Sequence, residues 1–241
     1  MKAMILAAGL GTRLRPLTDE RPKALVEVAG RTLLEITLER LRTFGIRDVI
    51  INVHHFADMV VEYLEKHDKF GMRIEVSRED VLLDTGGGLK KASWFFQEKS
   101  DDSETPLLVH NVDVVSTIDL GRMVEFHNQR KTLATLAVQD RKTSRYLLFD
   151  QNHELCGRRA EGEPQMVRTA KRTQALAFAG IHVISPRFFQ RMTEDGVFSI
   201  LAPYLRLAAE GEPILAFRAD EYDWRDMGKL KNLKQEISPQ A

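Results

Sequence analysis

The chain has 241 residues, 43% of them hydrophobic, which is long and apolar enough for one large α/β domain or two small ones. Its 35 basic residues balance its 35 acidic residues, and this neutrality argues against a broad nucleic-acid-binding surface but not against a local basic pocket. The single cysteine, Cys156, excludes an intramolecular disulfide and favours a cytoplasmic location. No apolar run approaches the ~18 residues of a membrane span, so we predict none.

The N-terminus reads as a buried strand that runs directly into a glycine-rich loop. The apolar run from Met4 to Ala8 is followed by Gly9 and Gly11. Glycines allow backbone N–H groups to approach phosphate oxygens closely. Nearby cations can neutralise a polyphosphate, and they are Arg13, Arg15 and Lys23. The stretch therefore predicts a phosphate-binding loop.

Two common phosphate loops do not match this stretch. A Walker loop has four residues between its glycines and ends in Gly-Lys-Ser/Thr, a pattern that is absent here. The dinucleotide fingerprint needs a third glycine where this chain has Leu14, and no acidic residue ends the next predicted strand at Val53. An NAD-dependent oxidoreductase is therefore a weaker alternative.

The longer string from Leu6 to Thr18, LAAGLGTRLRPLT, followed by Pro22 and Lys23, resembles the signature loop of the sugar-1-phosphate nucleotidylyltransferases. The resemblance extends from residue 2 to about 235. It implies that the loop wraps a nucleoside triphosphate and that Arg13 and Lys23 contact the phosphates. The nucleotide-binding residues that it implies here also include Leu6, Ala7, Ala8, Gly9, Gly11 and Thr12.

The next segments alternate between helical and extended patterns. The apolar spacing predicts a helix from the capping Thr32 to about Phe44, a buried strand over 49–53, a helix over 57–67 and a strand over 72–76. Strands that alternate with helices are typical of a doubly wound parallel sheet. We therefore expect an α/β, Rossmann-like fold with a mostly parallel central sheet flanked by helices. Ligands should bind at the carboxyl ends of its strands.

A second glycine-rich segment follows the third predicted strand. Gly86 to Gly88 precede a helical pattern over 89–96, so we expect a glycine loop at a helix N-terminus. In the resembling family, a loop of this type borders the nucleobase. The resemblance thus implies that Gly86 and Gly87 contact the base, with Glu79 or Asp80 nearby.

Two aspartates far apart in the chain are candidate magnesium ligands. Asp113 follows the apolar run over 106–112, and at the carboxyl edge of a parallel sheet its side chain would point into the ligand crevice. The segment from Tyr222 to Gly228 resembles a family segment whose aspartate is the second metal ligand, which corresponds to Asp226; Asp223 is a weaker candidate. The chain departs from the family pattern at Val112 and at Lys229.

The second half of the chain predicts a small antiparallel hairpin over 146–149 and 154–158, an exposed loop over 159–172 and an apolar strand over 175–183. Helices are predicted over 199–210 and about 229–235. In the resembling family this half holds the sugar. Our candidates for contact with the sugar or its phosphate are Asn111, Asp140, Arg145 and Gly180, although solvated loop charges explain the charged pair equally well.

These observations predict one nucleotidyltransferase domain over 1–241, with a nucleotide-binding part over about 1–112, a sugar-phosphate part over about 113–235 and no C-terminal β-helix. The resemblance implies a magnesium-dependent enzyme that makes an NDP-sugar and pyrophosphate from a nucleoside triphosphate and a sugar 1-phosphate. Its catalytic residues would be Arg13, Lys23 and Asp113. The sequence does not decide whether the base is uracil, guanine, thymine or cytosine, although UTP or GTP is favoured. The main alternative function is a non-catalytic nucleotide-binding module.

Overall fold

The computed structural model describes residues 1–97, 104–160 and 162–233. Fourteen strands are found there: β1 Lys2–Leu6, β2 Glu27–Val28, β3 Arg31–Thr32, β4 Asp48–Val53, β5 Arg73–Arg78, β6 Leu107–Asn111, β7 Val114–Ser116, β8 Ala134–Gln139, β9 Tyr146–Phe149, β10 Leu155–Arg159, β11 Gln165–Met166, β12 Gln174–Ile184, β13 Ile214–Arg218 and β14 Trp224–Asp226. The α-helices of the same ranges are α1 Leu33–Thr43, α2 Ala57–Lys66, α3 Asp84–Lys91, α4 Ser93–Gln97, α5 Leu120–Arg130, α6 Arg187–Arg191, α7 Leu201–Ala209 and α8 Leu230–Leu233.

The first half of the chain builds a parallel sheet. Strand β1 lies between β4 and β6 and is parallel to both, and β5 continues the sheet in parallel beyond β4. The connections that carry α1 and α2 join these strands as crossovers, because parallel neighbours need a long connection. Helix α1 begins at the predicted cap, where the Thr32 side chain accepts a hydrogen bond from the Glu35 N–H at 3.1 Å. The predicted doubly wound arrangement is confirmed here.

The second half of the chain extends the sheet in the opposite direction. Strand β12 runs antiparallel to β6, β8 and β9, and β13 then pairs in parallel with β8. The mixed sheet with parallel central strands and flanking helices confirms the expected fold class. The predicted hairpin is also confirmed, as β9 and β10.

The prediction that 159–172 is a loop is wrong at Arg159, which ends β10, and at Gln165 and Met166, which form the short strand β11 against β10. Gly157 lies opposite Met166, and a Cβ built at Gly157 would lie 2.4 Å from the Gln165 carbonyl oxygen. The glycine thus permits a close approach that the charged, aperiodic sequence did not signal. Of the helix predicted over 229–235, α8 is observed, while residues 234 and 235 lie outside the described ranges.

Two apolar cores cover the two faces of the central sheet. Successive residues of β1 alternate between them, with Ile5 in the core that includes α1 and α2, and Met4 in the core that includes Phe95 and Tyr204. Burial on both faces explains why the central strands are nearly continuous apolar runs. In the described part of the chain, every helix is too short or too polar to cross a bilayer.

Candidate active site

The N-terminal loop begins at the carboxyl end of β1 and is fixed by hydrogen bonds at both sides. The Ala7 N–H donates to the Asn52 side-chain oxygen at 2.8 Å, and the Thr18 hydroxyl donates to the Gly11 carbonyl at 2.9 Å. Gly11 has φ of 64°, and a Cβ there would lie 2.8 Å from the Thr18 methyl carbon. Position 11 therefore requires glycine for both its backbone conformation and its space.

Two of the three loop cations, Arg13 and Lys23, converge on the carboxylates of Asp113 and Asp226, while Arg15 lies 3.2 Å from Asp19. The Lys23 ammonium forms an ion pair with Oδ2 of Asp113, and the Arg13 guanidinium lies 3.4 Å from Oδ2 of Asp226 and 4.0 Å from Oδ2 of Asp113. The Lys23 side chain is 15% exposed, whereas that of Arg13 is 57% exposed. Lys23 is thus held against Asp113, while Arg13 faces solvent at the entrance to the site.

A two-stranded ribbon brings the distant aspartates together. Strand β14 pairs antiparallel with β7, and Asp226 lies opposite Val114, the residue after Asp113. One residue further along the ribbon, the Met227 N–H donates a hydrogen bond to the Asp113 carbonyl at 2.8 Å. Main-chain pairing therefore brings the two aspartates together, and the side chains of Arg13 and Lys23 bring the loop to them.

Gly228 lies between the two carboxylates. A Cβ built at Gly228 would be 2.4 Å from Oδ2 of Asp113 and 2.9 Å from both Oδ1 of Asp226 and an Arg13 nitrogen. The Gly228 N–H also donates to Oδ1 of Asp226 at 2.9 Å. The absence of a side chain leaves room for both carboxylates to face one small volume.

The donor set suits a cation that is shared with phosphate oxygens. In residues 1–97, 104–160 and 162–233, no group of three or more His, Cys, Asp or Glu side chains is arranged to hold a metal ion. Magnesium typically takes one or two carboxylates and completes its shell with water and substrate phosphates. Asp113 and Asp226 fit that requirement. Lys229 lies 3.5 Å from Oδ2 of Asp226 and is a further cation at this carboxylate.

The second glycine segment differs from its prediction. Gly86 to Gly88 are not a loop, because helix α3 begins at Asp84 and contains all three. The Gly86 and Gly87 N–H groups, predicted to contact a base, both point at the Phe198 carbonyl, at 2.9 and 3.1 Å. A Cβ at Gly86 would lie 2.4 Å from the Phe198 ring. These glycines permit the segment before α7 to pack on α3, and their contact with a base stays a prediction.

A buried polar network that the sequence did not reveal lies beside the loop. The Asn52 amide donates to Oε1 of Glu79 at 2.8 Å, and Oε2 of Glu79 accepts the Leu83 N–H at 2.9 Å. A Cβ at Gly88 would lie 2.7 Å from both side chains of this pair. Since Asn52 also accepts from Ala7, the network links the N-terminal loop, the end of β4 and the start of α3.

The candidate sugar-phosphate residues fall into two pairs. Asn111 and Gly180 meet beside β7, since a Cβ at Gly180 would lie 2.8 Å from the Asn111 amide nitrogen. Asp140 and Arg145 both lie exposed in the connection from β8 to β9. In that connection the Asp140 N–H donates to Asp220 at 2.6 Å and the Arg145 N–H to Thr143 at 3.3 Å. Their roles toward a sugar stay predictions.

Between Asp140 and Arg145 lies an arginine that the sequence did not single out. The guanidinium carbon of Arg141 is 3.7 Å from the centroid of the Trp224 ring, and its Nη2 donates to the Phe178 carbonyl at 2.9 Å. Burial lowers the pKa of Arg141, and the negative charge of Asp226 opposes this shift. Its isolated position in a charged segment gave no signal that it would be buried against a tryptophan.

The comparisons with known proteins agree with this geometry. Residues 2–239 match the family model for nucleotidyl transferase. The chain is 36% identical over 220 residues to the N-acetylmuramate alpha-1-phosphate uridylyltransferase of Caulobacter vibrioides, covering 87% of this chain and 85% of that protein. It is 30% identical over 236 residues to the mannose-1-phosphate guanyltransferase of Yarrowia lipolytica, covering 96% of this chain but 62% of that protein's length.

Solved structures show the same fold. A putative glucose-1-phosphate thymidylyltransferase from Bacillus anthracis superposes with a TM-score of 0.77 at 20% identity, covering 97% of this chain and 92% of that one. HddC from Yersinia pseudotuberculosis, solved with GMP-PN, gives a TM-score of 0.76 at 20% identity and covers 96% of both chains. The match over nearly the full length favours nucleotidyl transfer over the oxidoreductase and the non-catalytic alternatives. The chain belongs to the nucleotidyl transferase family.

Proposed function

We propose that this protein transfers a uridylyl group from UTP to a sugar 1-phosphate, with N-acetylmuramate α-1-phosphate as the first acceptor to test. An oxygen of the sugar phosphate attacks the α-phosphorus, the bond between that phosphorus and the bridging oxygen to the β-phosphorus breaks, and pyrophosphate leaves. The similarity to the Caulobacter uridylyltransferase supports the choice of nucleotide and acceptor.

The chemistry asks the site for alignment and charge neutralisation rather than for a general base, because the attacking oxygen is already an anion. Arg13 is the exposed cation at the entrance, and we assign it to the β- and γ-phosphates. Lys23 is held at Asp113, where the α-phosphate would lie. Asp113 and Asp226 would hold a magnesium ion, which supplies further neutralisation of the two phosphates.

The observation that carries the proposal is the convergence of Arg13 and Lys23, from one loop, on carboxylates from two distant parts of the chain. Carboxylate oxygens of Asp113 and Asp226 and a nitrogen of Arg13 thus surround Gly228, an arrangement that suits a metal–triphosphate complex. A non-catalytic nucleotide-binding module would not need both carboxylates at this spacing.

The test is pyrophosphate release by the purified full chain, with UTP, GTP, dTTP or CTP against a panel of sugar 1-phosphates, with and without magnesium. We expect turnover with UTP and N-acetylmuramate α-1-phosphate that requires the metal. Thermal unfolding in the presence of each triphosphate reports binding separately, since a ligand that binds only the folded state raises the Tm. Triphosphate binding without pyrophosphate release for any pair would contradict the enzyme and favour the binding module.

A further inference from the structure

Arg141 has the features of an arginine that is held ready for an anion. Its guanidinium stacks on Trp224, and the Trp224 indole N–H is itself fixed by donation to the Ala179 carbonyl at 2.8 Å. The hydrogen bond that Nη2 of Arg141 donates to the Phe178 carbonyl fixes the rotation of the guanidinium group within its plane. Two elements, β12 and β14, therefore fix the orientation of this side chain before any ligand arrives.

The hydrogen-bonding capacity of Arg141 is only partly used. Its Nε is buried and has no hydrogen-bond partner among the described residues. Within the same ranges of the chain, no carboxylate lies within 4 Å of the Arg141 guanidinium. A partly buried cation without a paired carboxylate is costly, and the stack on Trp224 offsets only part of that cost.

The location of Arg141 points toward the reacting groups. Trp224 and Asp226 are two residues apart in β14, so their side chains lie on the same face of that strand. The guanidinium stacked on Trp224 is therefore on the side of β14 that carries the Asp226 carboxylate, and the negative charge of Asp226 opposes the lowering of the Arg141 pKa by burial. Around Asp226 the positive charges of Arg13, Lys229 and Arg141 outnumber the negative charge, which favours an incoming anion.

We infer that Arg141 binds the phosphate of the sugar 1-phosphate, a phosphomonoester, on the Asp226 side of the site. The inference rests on the proposed function and assigns to Arg141 the contact that the sequence suggested for its neighbour Arg145. Lys23 and Arg13 come from the N-terminal loop, whereas Arg141 comes from the connection after β8 and packs on Trp224 of β14 and Phe178 of β12. Cations from two different segments of the chain would then bind the two reacting phosphates.

The first test measures initial rates of pyrophosphate release for Arg141→Gln. We expect the KM for N-acetylmuramate α-1-phosphate to rise by about tenfold or more, because a charge-assisted hydrogen bond is lost, while the KM for UTP changes by less than about twofold. Arg141→Lys retains the charge without the planar stack and should raise the same KM by about threefold or more. Arg122→Gln, in an exposed ion pair with Glu221, is the matched control and should change neither KM.

The second test reads the Trp224 environment directly. In a Trp94→Phe background, Trp224 is the single tryptophan. With a non-hydrolysable UTP analogue bound, we expect added sugar phosphate to change the fluorescence emission of Trp224 in a saturable way. Arg141→Gln should abolish this change, because Arg141 stacks on Trp224. If the parent protein releases pyrophosphate but Arg141→Gln has a KM for sugar phosphate within twofold of the parent value, the inference is overturned and the proposed function stands. Arg141→Lys replaces Arg141→Gln in this comparison if Arg141→Gln fails to fold. If the parent releases no pyrophosphate with any acceptor, the inference and the proposed function are both overturned.

Discussion

In the proposed reaction, the nucleotide side of the site consists of the N-terminal loop and Asp113, and the sugar side consists of Asp226, Trp224 and Arg141; the two sides differ in exposure. The side chains of Asp113 and Lys23 are 9% and 15% exposed, whereas those of Asp226 and Lys229 are 18% and 44% exposed. The nucleotide side is thus a largely buried ion pair in the turn that follows the central strand β6, and the sugar side is more open. The more exposed side is the one that the proposed function assigns to the acceptor.

The largest expected effect comes from the buried pair. Asp113→Ala should lower turnover by about a hundredfold or more, because Lys23 loses its partner and the metal loses its better-shielded ligand. Arg13→Ala should have an effect of the same order. Asp226→Ala should act mainly through metal dependence, with part of the activity restored at high magnesium.

Steady-state kinetics over a magnesium titration distinguish these outcomes. Asp223→Ala, three residues before Asp226 and exposed, is the matched control for the second aspartate and should behave as wild type. Equal rates in Asp113→Ala and wild type would remove Asp113 from the mechanism. Wild-type activity of Asp226→Ala at every magnesium concentration would remove the second ligand.

The boundary between the two sides can be tested at Gly228. Gly228→Ala would put a methyl carbon 2.4 Å from the Asp113 carboxylate, so one carboxylate must shift. We expect turnover to fall by about tenfold to a hundredfold, since a displacement of about 1 Å in an active site has effects of that size. Gly121→Ala, in helix α5, controls for the substitution itself. Unchanged kinetics in Gly228→Ala would show that the carboxylates need not share this volume.

Strands β6 and β12 join the two halves of the sheet, and we expect the stability contributed at this junction to fall at acid pH. His110 of β6 and His182 of β12 are buried, and burial lowers their pKa values to about 4 and about 3. Because the folded-state pKa lies below the unfolded value of 6.5, their contribution to stability is complete above pH 6.5. It is lost as the pH falls below that value, by up to about 1.4 kcal/mol per pH unit for each histidine.

Thermal unfolding between pH 7 and pH 5 measures this loss. We expect the Tm to fall by several degrees over that range, by the usual relation of about 2–4 °C per kcal/mol for a chain of this size. His110→Asn should reduce the slope, while His55→Asn, at an exposed position, should leave it unchanged. A Tm that is flat down to pH 5 would contradict the assignment of buried neutral histidines.

The smallest expected effect concerns the open side. Lys229 lies 3.5 Å from the Asp226 carboxylate and competes with a metal for it. Lys229→Ala should therefore tighten magnesium binding, but only by about twofold to fivefold, because exposed ion pairs contribute little. Isothermal titration with magnesium in the presence of UTP measures it, and Lys231→Ala, two residues along, is the control. Weaker magnesium binding in Lys229→Ala would mean that Lys229 supports the site instead.

The same contrast explains what the sequence could predict. The nucleotide side lies in one continuous stretch, so a single string carried Gly11, Arg13 and Lys23, and the strand that leads to Asp113 had an unmistakable apolar pattern. The sugar side depends on contacts between distant segments. Arg141 is defined by Trp224 and Phe178, which are 83 and 37 residues away in the chain.

The glycines of α3 show a second limit of sequence analysis. Each of Gly86, Gly87 and Gly88 is required by a different neighbour from another part of the chain, namely the Phe198 ring, the Gly196 carbonyl and the Asn52–Glu79 pair. Local propensity describes three glycines as a loop, and the observed helix exists because tertiary packing outweighs that preference. Asn52 itself appeared only as the penultimate residue of a strand, with no signal of its hydrogen bonds.

The ribbon of β7 and β14 has a consequence for how this architecture can diverge. Its few rungs fix the distance between Asp113 and Asp226 independently of the more than one hundred residues between them. Insertions or deletions in those intervening segments can reshape the acceptor pocket while the spacing of the two ligands is preserved. Natural or engineered changes of sugar preference should therefore accumulate in the long intervening span and leave the ribbon intact.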